Sequence, residues 1–253
     1  MSAQEFWSGW WWPAATAILG FVFTGLLLNQ WYRRRKSHQL AWTVGLFMYG
    51  TAAAMESYSE FTGDWIPWVY RVYIVLAASL VGFLGLGTLY LISRNRLWPR
   101  LYLAFLLVCL AIFLYGALTV DLLEDKLVAG IVVGGQALGP GGSFPRIMSL
   151  PLNITGTIFL LGGAVISIWR FARKREYAYR VWANVLIAAG TIVIAGAGSM
   201  ARAGMTVGLY AAEMVASALL LAGFLMAGTL QKGALAAAET ARARRAEESA
   251  VEG

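Results

Sequence analysis

Four ionisable side chains fall inside long apolar stretches of this sequence: Glu56, Glu60, Arg71 and Glu213. A charge at membrane depth is costly, and it persists where a partner or a function holds it there. Tyr58, Tyr70 and Tyr73 flank the first three along the chain. Their hydroxyls either line a pocket with the charges or mark a membrane boundary, where tyrosine rings are at home. Glu56, Glu60, Arg71, Tyr58, Tyr73 and Glu213 are therefore the candidate ligand-binding residues. The plainer alternative for the charges is outward snorkelling, or a structural ion pair such as Glu213 with Arg71.

The remaining chemistry is narrow. The single histidine, His38, sits in a basic stretch between the first two apolar segments and reads as a solvated loop residue. With no second histidine, a bis-histidine haem, a histidine zinc site and a Ser–His relay are excluded from the apolar segments. The single cysteine, Cys109, lies in an apolar run, forms no intrachain disulfide and reads as a small buried hydrophobe. Glu56 and Glu213 form a conceivable carboxylate pair, but no nucleophile or metal ligand accompanies them, so an enzyme is disfavoured. No cofactor and no metal are expected. Light sensing through a retinal Schiff base needs a lysine in the middle of the last apolar segment; Leu209 to Leu230 contains none, and Lys232 lies beyond its end. Gly82, Gly85 and Gly87 lack the strand–turn–helix context of a nucleotide fingerprint. Together with Gly223 and Gly228 they permit helices to approach closely.

These residues must be positioned by helices in a bilayer. The chain has 253 residues, of which 59% are hydrophobic and 13% charged; a soluble domain carries about 25% charged residues. Seven segments reach the roughly 20 apolar residues that a span needs. They run near Pro13–Trp31, Leu40–Phe61, Val69–Ile92, Leu101–Val120, Ser149–Trp169, Trp182–Met200 and Leu209–Leu230. The stretch from Met1 to Trp12 has no basic region before its apolar run, so the first segment reads as a retained helix rather than a cleaved signal.

Charge sets the orientation. Arg33, Arg34, Arg35 and Lys36 follow the first segment, and Arg94, Arg96 and Arg100 follow the third. Arg170, Arg173, Lys174, Arg175 and Arg180 follow the fifth, and Lys232, Arg242, Arg244 and Arg245 the seventh; these are sixteen of the 20 basic residues. Arg71, Lys126, Arg146 and Arg202 fall on the other side. The N-terminus is therefore expected outside and the C-terminus in the cytoplasm, with all eleven tryptophans near the two headgroup levels. The net charge of +7 is then a topology signal and a contact for anionic lipids at the cytoplasmic face, not a nucleic-acid footprint. The six candidate residues lie in the outer half.

The chain also matches itself. At an offset of 138 the first segment meets the fifth, pairing Pro13, Phe21, Gly25 and Trp31 with Pro151, Phe159, Gly163 and Trp169. At 140, Trp42, Gly50 and Thr51 meet Trp182, Gly190 and Thr191. At 141, the stretch from Leu80 to Leu89 meets that from Leu221 to Leu230. None of the four charges is repeated. This pattern predicts an all-α integral membrane protein with a parallel 3+1+3 repeat. Residues 1–230 form the seven-helix domain: repeat one 13–93, a connector helix 101–120, an outer loop 121–148 and repeat two 149–230. Residues 231–253 form a short cytoplasmic tail, whose Glu–Arg spacing suits a solvated helix. Parallel repeats of this kind occur in several transporter folds, and the layout is similar to theirs in architecture alone. Within the outer loop, Lys126 to Gly135 is expected as one strand of a hairpin.

Two functions follow. One is binding or transport of a small solute through a pocket in the outer half, its weakness being that the inner halves hold few polar residues beyond Thr88, Asn184 and Thr229. The other is a receptor-like sensor or accessory subunit that signals to a separate cytoplasmic partner. The expected location is the cell membrane.

Overall fold

The computed structural model describes residues 9–129, 134–139, 143–172, 178–202 and 208–226. Over these the chain forms seven helices: α1 (Trp11–Arg34), α2 (Ser37–Thr62), α3 (Pro67–Ile92), α4 (Leu97–Thr119), α5 (Ser143–Ala172), α6 (Ala178–Arg202) and α7 (Leu209–Met226). A helix satisfies every backbone donor and acceptor within its own segment, which is why apolar runs of this length adopt it. Pro67 occupies the first turn of α3, where its missing N–H costs nothing. Gly63 closes α2 at a φ of 89°, a conformation that suits glycine, and donates its N–H to the Ser59 carbonyl.

Five helices (α1, α3, α4, α5 and α7) are long and apolar enough to cross a membrane. The protein is thus an integral membrane α-helical bundle. In α6 the apolar stretch is shorter, Val181–Gly196. The 26-residue α2 is polar because of its inward face: Gln39, Thr43, Glu56 and Ser59 are all buried. The second expected span is therefore a full-length helix with four of its polar side chains turned into the protein. The tail, with Thr229 and Gly228, lies outside the described residues.

α3 is the centre of the bundle, packing against α2, α4 and α5, while α1 lies on α2 and α6 on α5. Glycines make these approaches possible. A Cβ on Gly85 would lie 2.6 Å from Gly156 Cα, and one on Gly156 would lie 2.4 Å from the Val81 carbonyl oxygen. The α3–α5 crossing is therefore backbone against backbone, as expected of Gly85. Gly223 of α7 meets the Ala183 carbonyl of α6 in the same manner.

The bundle has two distinct ends. One carries Arg33, Arg34, Arg96 and Arg170 and is the basic end. The other carries the α2–α3 turn and the segment after α4. There the expected hairpin is replaced by two short 3-10 turns, Glu124–Lys126 and Gly134–Ala137, with isolated bridges Asp64–Val128 and Leu122–Leu138. The partner of Val128 is thus the α2–α3 turn, and residues 130–133 lie outside the described set. Trp65 donates its backbone N–H to the Leu127 carbonyl at 2.8 Å. Trp65 itself is buried, because this segment covers it. Beneath it, Tyr70 and Tyr73 pack with Phe113, Leu127 and Leu138 in one apolar cluster.

A Gly85→Ala substitution is expected to cost about 1–3 kcal/mol, because α3 and α5 must separate. Gly25→Ala, with open space around its Cβ position, should leave stability unchanged or raise it. Thermal unfolding of both variants in one detergent checks this.

Candidate functional site

Glu56 lies on the buried face of α2, and its carboxylate accepts a hydrogen bond from the Tyr73 hydroxyl of α3 at 2.5 Å. The Glu213 side chain of α7 lies near the same group. Around the pair, Tyr49 donates to the Glu213 backbone carbonyl at 2.9 Å. The Ser217 hydroxyl donates to that carbonyl at 2.7 Å and lies 2.8 Å from the Tyr49 oxygen. One turn further along α2, Glu60 accepts from the Tyr210 hydroxyl of α7 at 2.6 Å. α2 and α7 are thus joined by a ladder of hydrogen bonds, Glu60 with Tyr210 and Tyr49 with Ser217, with the Glu56 and Glu213 side chains between them.

Four of the six expected residues (Glu56, Glu60, Tyr73 and Glu213) come together here. The other two do not. Arg71 turns to the far side of α3 and donates to the carbonyls of Ala117 and Val120, the latter at 2.8 Å. These are carbonyls at the C-terminal end of α4, which a guanidinium satisfies well. The suggested Glu213–Arg71 ion pair is therefore not formed, because α4 offers Arg71 its own acceptors. Tyr58 is 49% exposed and lies on a shallow groove with Met55 and Trp68, away from the carboxyls. Tyr70 is fully buried, its oxygen accepting the Ala137 N–H at 3.1 Å, so it anchors the covering segment and is not a belt residue. Tyr49, Tyr210 and Ser217 escaped sequence reasoning because single hydroxyls in apolar runs carry no spacing signal.

The Trp65 ring lies 4.6 Å from that of Tyr73, tilted by 40°, and both pack in the apolar cluster next to this group. A cavity of about 850 Å³ lies at the basic end. Its deep wall is Phe23, Leu27, Leu46, Leu84, Leu220 and Phe224; its mouth carries Asn29, Gln30, Arg33, Arg34, His38, Ser167, Arg170 and Asn184. The inner half is therefore more polar than the sequence suggested, because Asn29, Gln30 and Ser167 at helix ends turn into one space.

His38 is not a loop residue. It stands in the first turn of α2, partly buried, with its ring edge-to-face on Trp42 at 5.3 Å. Trp42 is pinned in turn by an indole N–H donated to the Leu84 carbonyl at 3.0 Å, in room left by Gly87. Burial holds the His38 imidazole below the usual histidine range, and the charges of Lys36, Arg96 and Arg34 push it the same way. The mouth thus combines fixed cations with a neutral imidazole. Among the described residues no cluster of metal-ligating side chains occurs. Asn153 of the Asn-Ile-Thr sequence lies within α5 and donates to the carbonyls of Ala78 and Ser149, at 3.2 and 2.8 Å.

Fold and site define a polytopic α-helical membrane protein with a hydrogen-bonded acidic lock at one end and an amphipathic cavity at the other. No protein family matches the chain, and neither characterised proteins nor solved structures offer a match that carries an argument.

Tyr73→Phe removes a bond to a buried carboxyl and is expected to cost about 1.5–3 kcal/mol. Tyr58→Phe, on the exposed groove, should cost less than about 0.5 kcal/mol. Chemical or thermal unfolding of the two variants side by side tests the difference.

Proposed function

We propose that the protein binds a small solute between two three-helix units and moves it across the membrane. The observation that carries this reading is the composition of the cavity wall. α1, α2 and α3 contribute to it, and so do α5, α6 and α7, while α4 contributes nothing. Those are the two sets of three helices that the self-match of the sequence groups, with α4 as the connector. A solute path between parallel repeats is how several transporter folds work. A volume of about 850 Å³ falls in the usual range for small-molecule sites, roughly 300–1,000 Å³.

In this reading all seven helices span, and the basic end faces the cytoplasm, as the distribution of Arg and Lys favours. The ladder of Glu56, Glu213 and Tyr73, with Glu60 and Tyr210, then closes the outer end while the inner end is open. Transport requires that closure to part, and two neighbouring carboxyls on α2 and α7 give protonation a way to hold or release it. Arg71 and Tyr58 stand outside this path. Anionic lipids are the natural neighbours of the exposed arginines.

Orientation is checked by cysteine labelling with membrane-impermeant maleimide. Asp125→Cys should react from outside in intact cells and Ser37→Cys only after permeabilisation; the reverse pattern inverts the assignment. The solute reading is tested by native mass spectrometry of the protein taken directly into lipid nanodiscs. A stoichiometric small molecule that is lost when Leu160→Trp or Ser167→Trp fills the cavity supports it. A stoichiometric protein partner with no small molecule, unchanged in those variants, overturns it in favour of an accessory or signalling subunit.

A further inference from the structure

The cavity is divided sharply by chemistry. From Phe23 to Arg34 along α1 is eleven residues, or about 16 Å of depth. The deep two-thirds presents Phe23, Leu27, Leu46, Leu84, Leu220 and Phe224 and no ionisable group. A polyhydroxylated solute such as a sugar would lose its water there and find no replacement hydrogen bonds, at a heavy cost per group. An alkyl chain would gain instead, at roughly 0.8 kcal/mol for each methylene withdrawn from water. A volume of about 850 Å³ holds one such chain with a headgroup, and a two-chain phospholipid is too large for it.

The mouth selects the headgroup. Arg33, Arg34 and Arg170 border it. No carboxylate faces them among the described residues, whose acidic side chains all lie at the opposite end of the bundle. The Arg33 guanidinium is steered by a hydrogen bond to the Asn29 amide at 3.2 Å, which places it on the cavity side of α1. Gln39 of α2, 4% exposed, donates to the Gln30 amide oxygen at 3.1 Å, and its own oxygen has no hydrogen-bond partner among the described residues. Gln30 is thereby oriented at the rim. Cations and amide donors around an apolar well fit a negative head on a greasy chain.

We propose that the solute is a single-chain anionic amphiphile, a fatty-acid-like molecule bound with its chain in the well and its acidic head among Arg33, Arg34 and Arg170. This rests on the solute-binding reading above and specifies the ligand class. His38 adds a consequence. Its imidazole faces Trp42 on its own helix, with Lys36 beside it, Arg34 and Arg33 on α1 and Arg96 before α4. An anion arriving at the mouth offsets those cations and lets His38 take up a proton. Binding therefore tightens as pH falls through the histidine range.

The test uses decyl sulfonate, whose charge does not titrate, against decanol and decyltrimethylammonium, each titrated onto the full chain in nanodiscs of zwitterionic lipid. Native mass spectrometry reports occupancy, and so does the part of the tryptophan fluorescence change that Trp42→Phe abolishes. Decyl sulfonate is expected to bind one to one and at least tenfold more tightly than either analogue. Arg34→Gln with Arg170→Gln should weaken it by about ten- to a hundredfold, while Arg94→Gln, away from the cavity, should not. Affinity should rise between about pH 8 and pH 6 and lose that slope in His38→Gln. Equal binding of all three probes, or preference for the cation, overturns the anionic assignment and leaves solute binding intact. A retained two-chain phospholipid that Leu160→Trp expels overturns the single-chain assignment. If no probe binds and cavity-filling variants change nothing, both this assignment and the solute reading fall.

Discussion

A hydrocarbon solvent offers no hydrogen bonds, so each polar group inside this bundle must find its partner in the protein. That constraint is most severe at Glu56, whose carboxyl lies among α2, α3 and α7 with the Glu213 carboxyl beside it. Two negative charges at such a distance in a medium of low polarity would repel strongly. The Tyr73 hydroxyl answers the Glu56 carboxylate, and Tyr49, Ser217 and Tyr210 tie the helices together around the pair. Much else follows from keeping that arrangement dry: Trp65 over Tyr73, the 3-10 turns over Trp65, and Tyr70 holding the Ala137 N–H.

The two ends of the bundle answer the same constraint in opposite ways. Where Glu56 and Glu213 lie, aromatic rings pack together and polar groups are paired within the protein. At the basic end the wall is apolar and the polar groups ring the opening, facing each other across a void. The glycine contacts of α3 with α5 and of α7 with α6 bring helix backbones into close contact.

Single polar residues in apolar helices owe their roles to their neighbours. Arg71 illustrates this: its charge suggested a partner for Glu213, yet its Nη1 donates to the open carbonyls of Ala117 and Val120 at the end of α4. His38 is the converse. It reads as a solvated residue in a basic stretch, but α2 begins at Ser37 and turns the ring onto Trp42 and into the cavity mouth.

What the sequence determined is what depends on runs and counts. The length of the apolar segments, the small polar fraction and the glycines at Gly82, Gly85 and Gly87 dictated a helical membrane bundle with close crossings, because backbone bonding in lipid leaves no other choice for such runs. The grouping of Glu56, Glu60, Tyr73 and Glu213 at one end was legible as well, since depth along a helix is linear in residue number. Which of them touch was not. Pairing across helices depends on rotation about each axis, and four apolar neighbours look alike on every face. The hydroxyls of Tyr49, Tyr210 and Ser217 and the cavity at the basic end were decided only by tertiary structure, because a void is made by six helices jointly and belongs to the sequence of none of them.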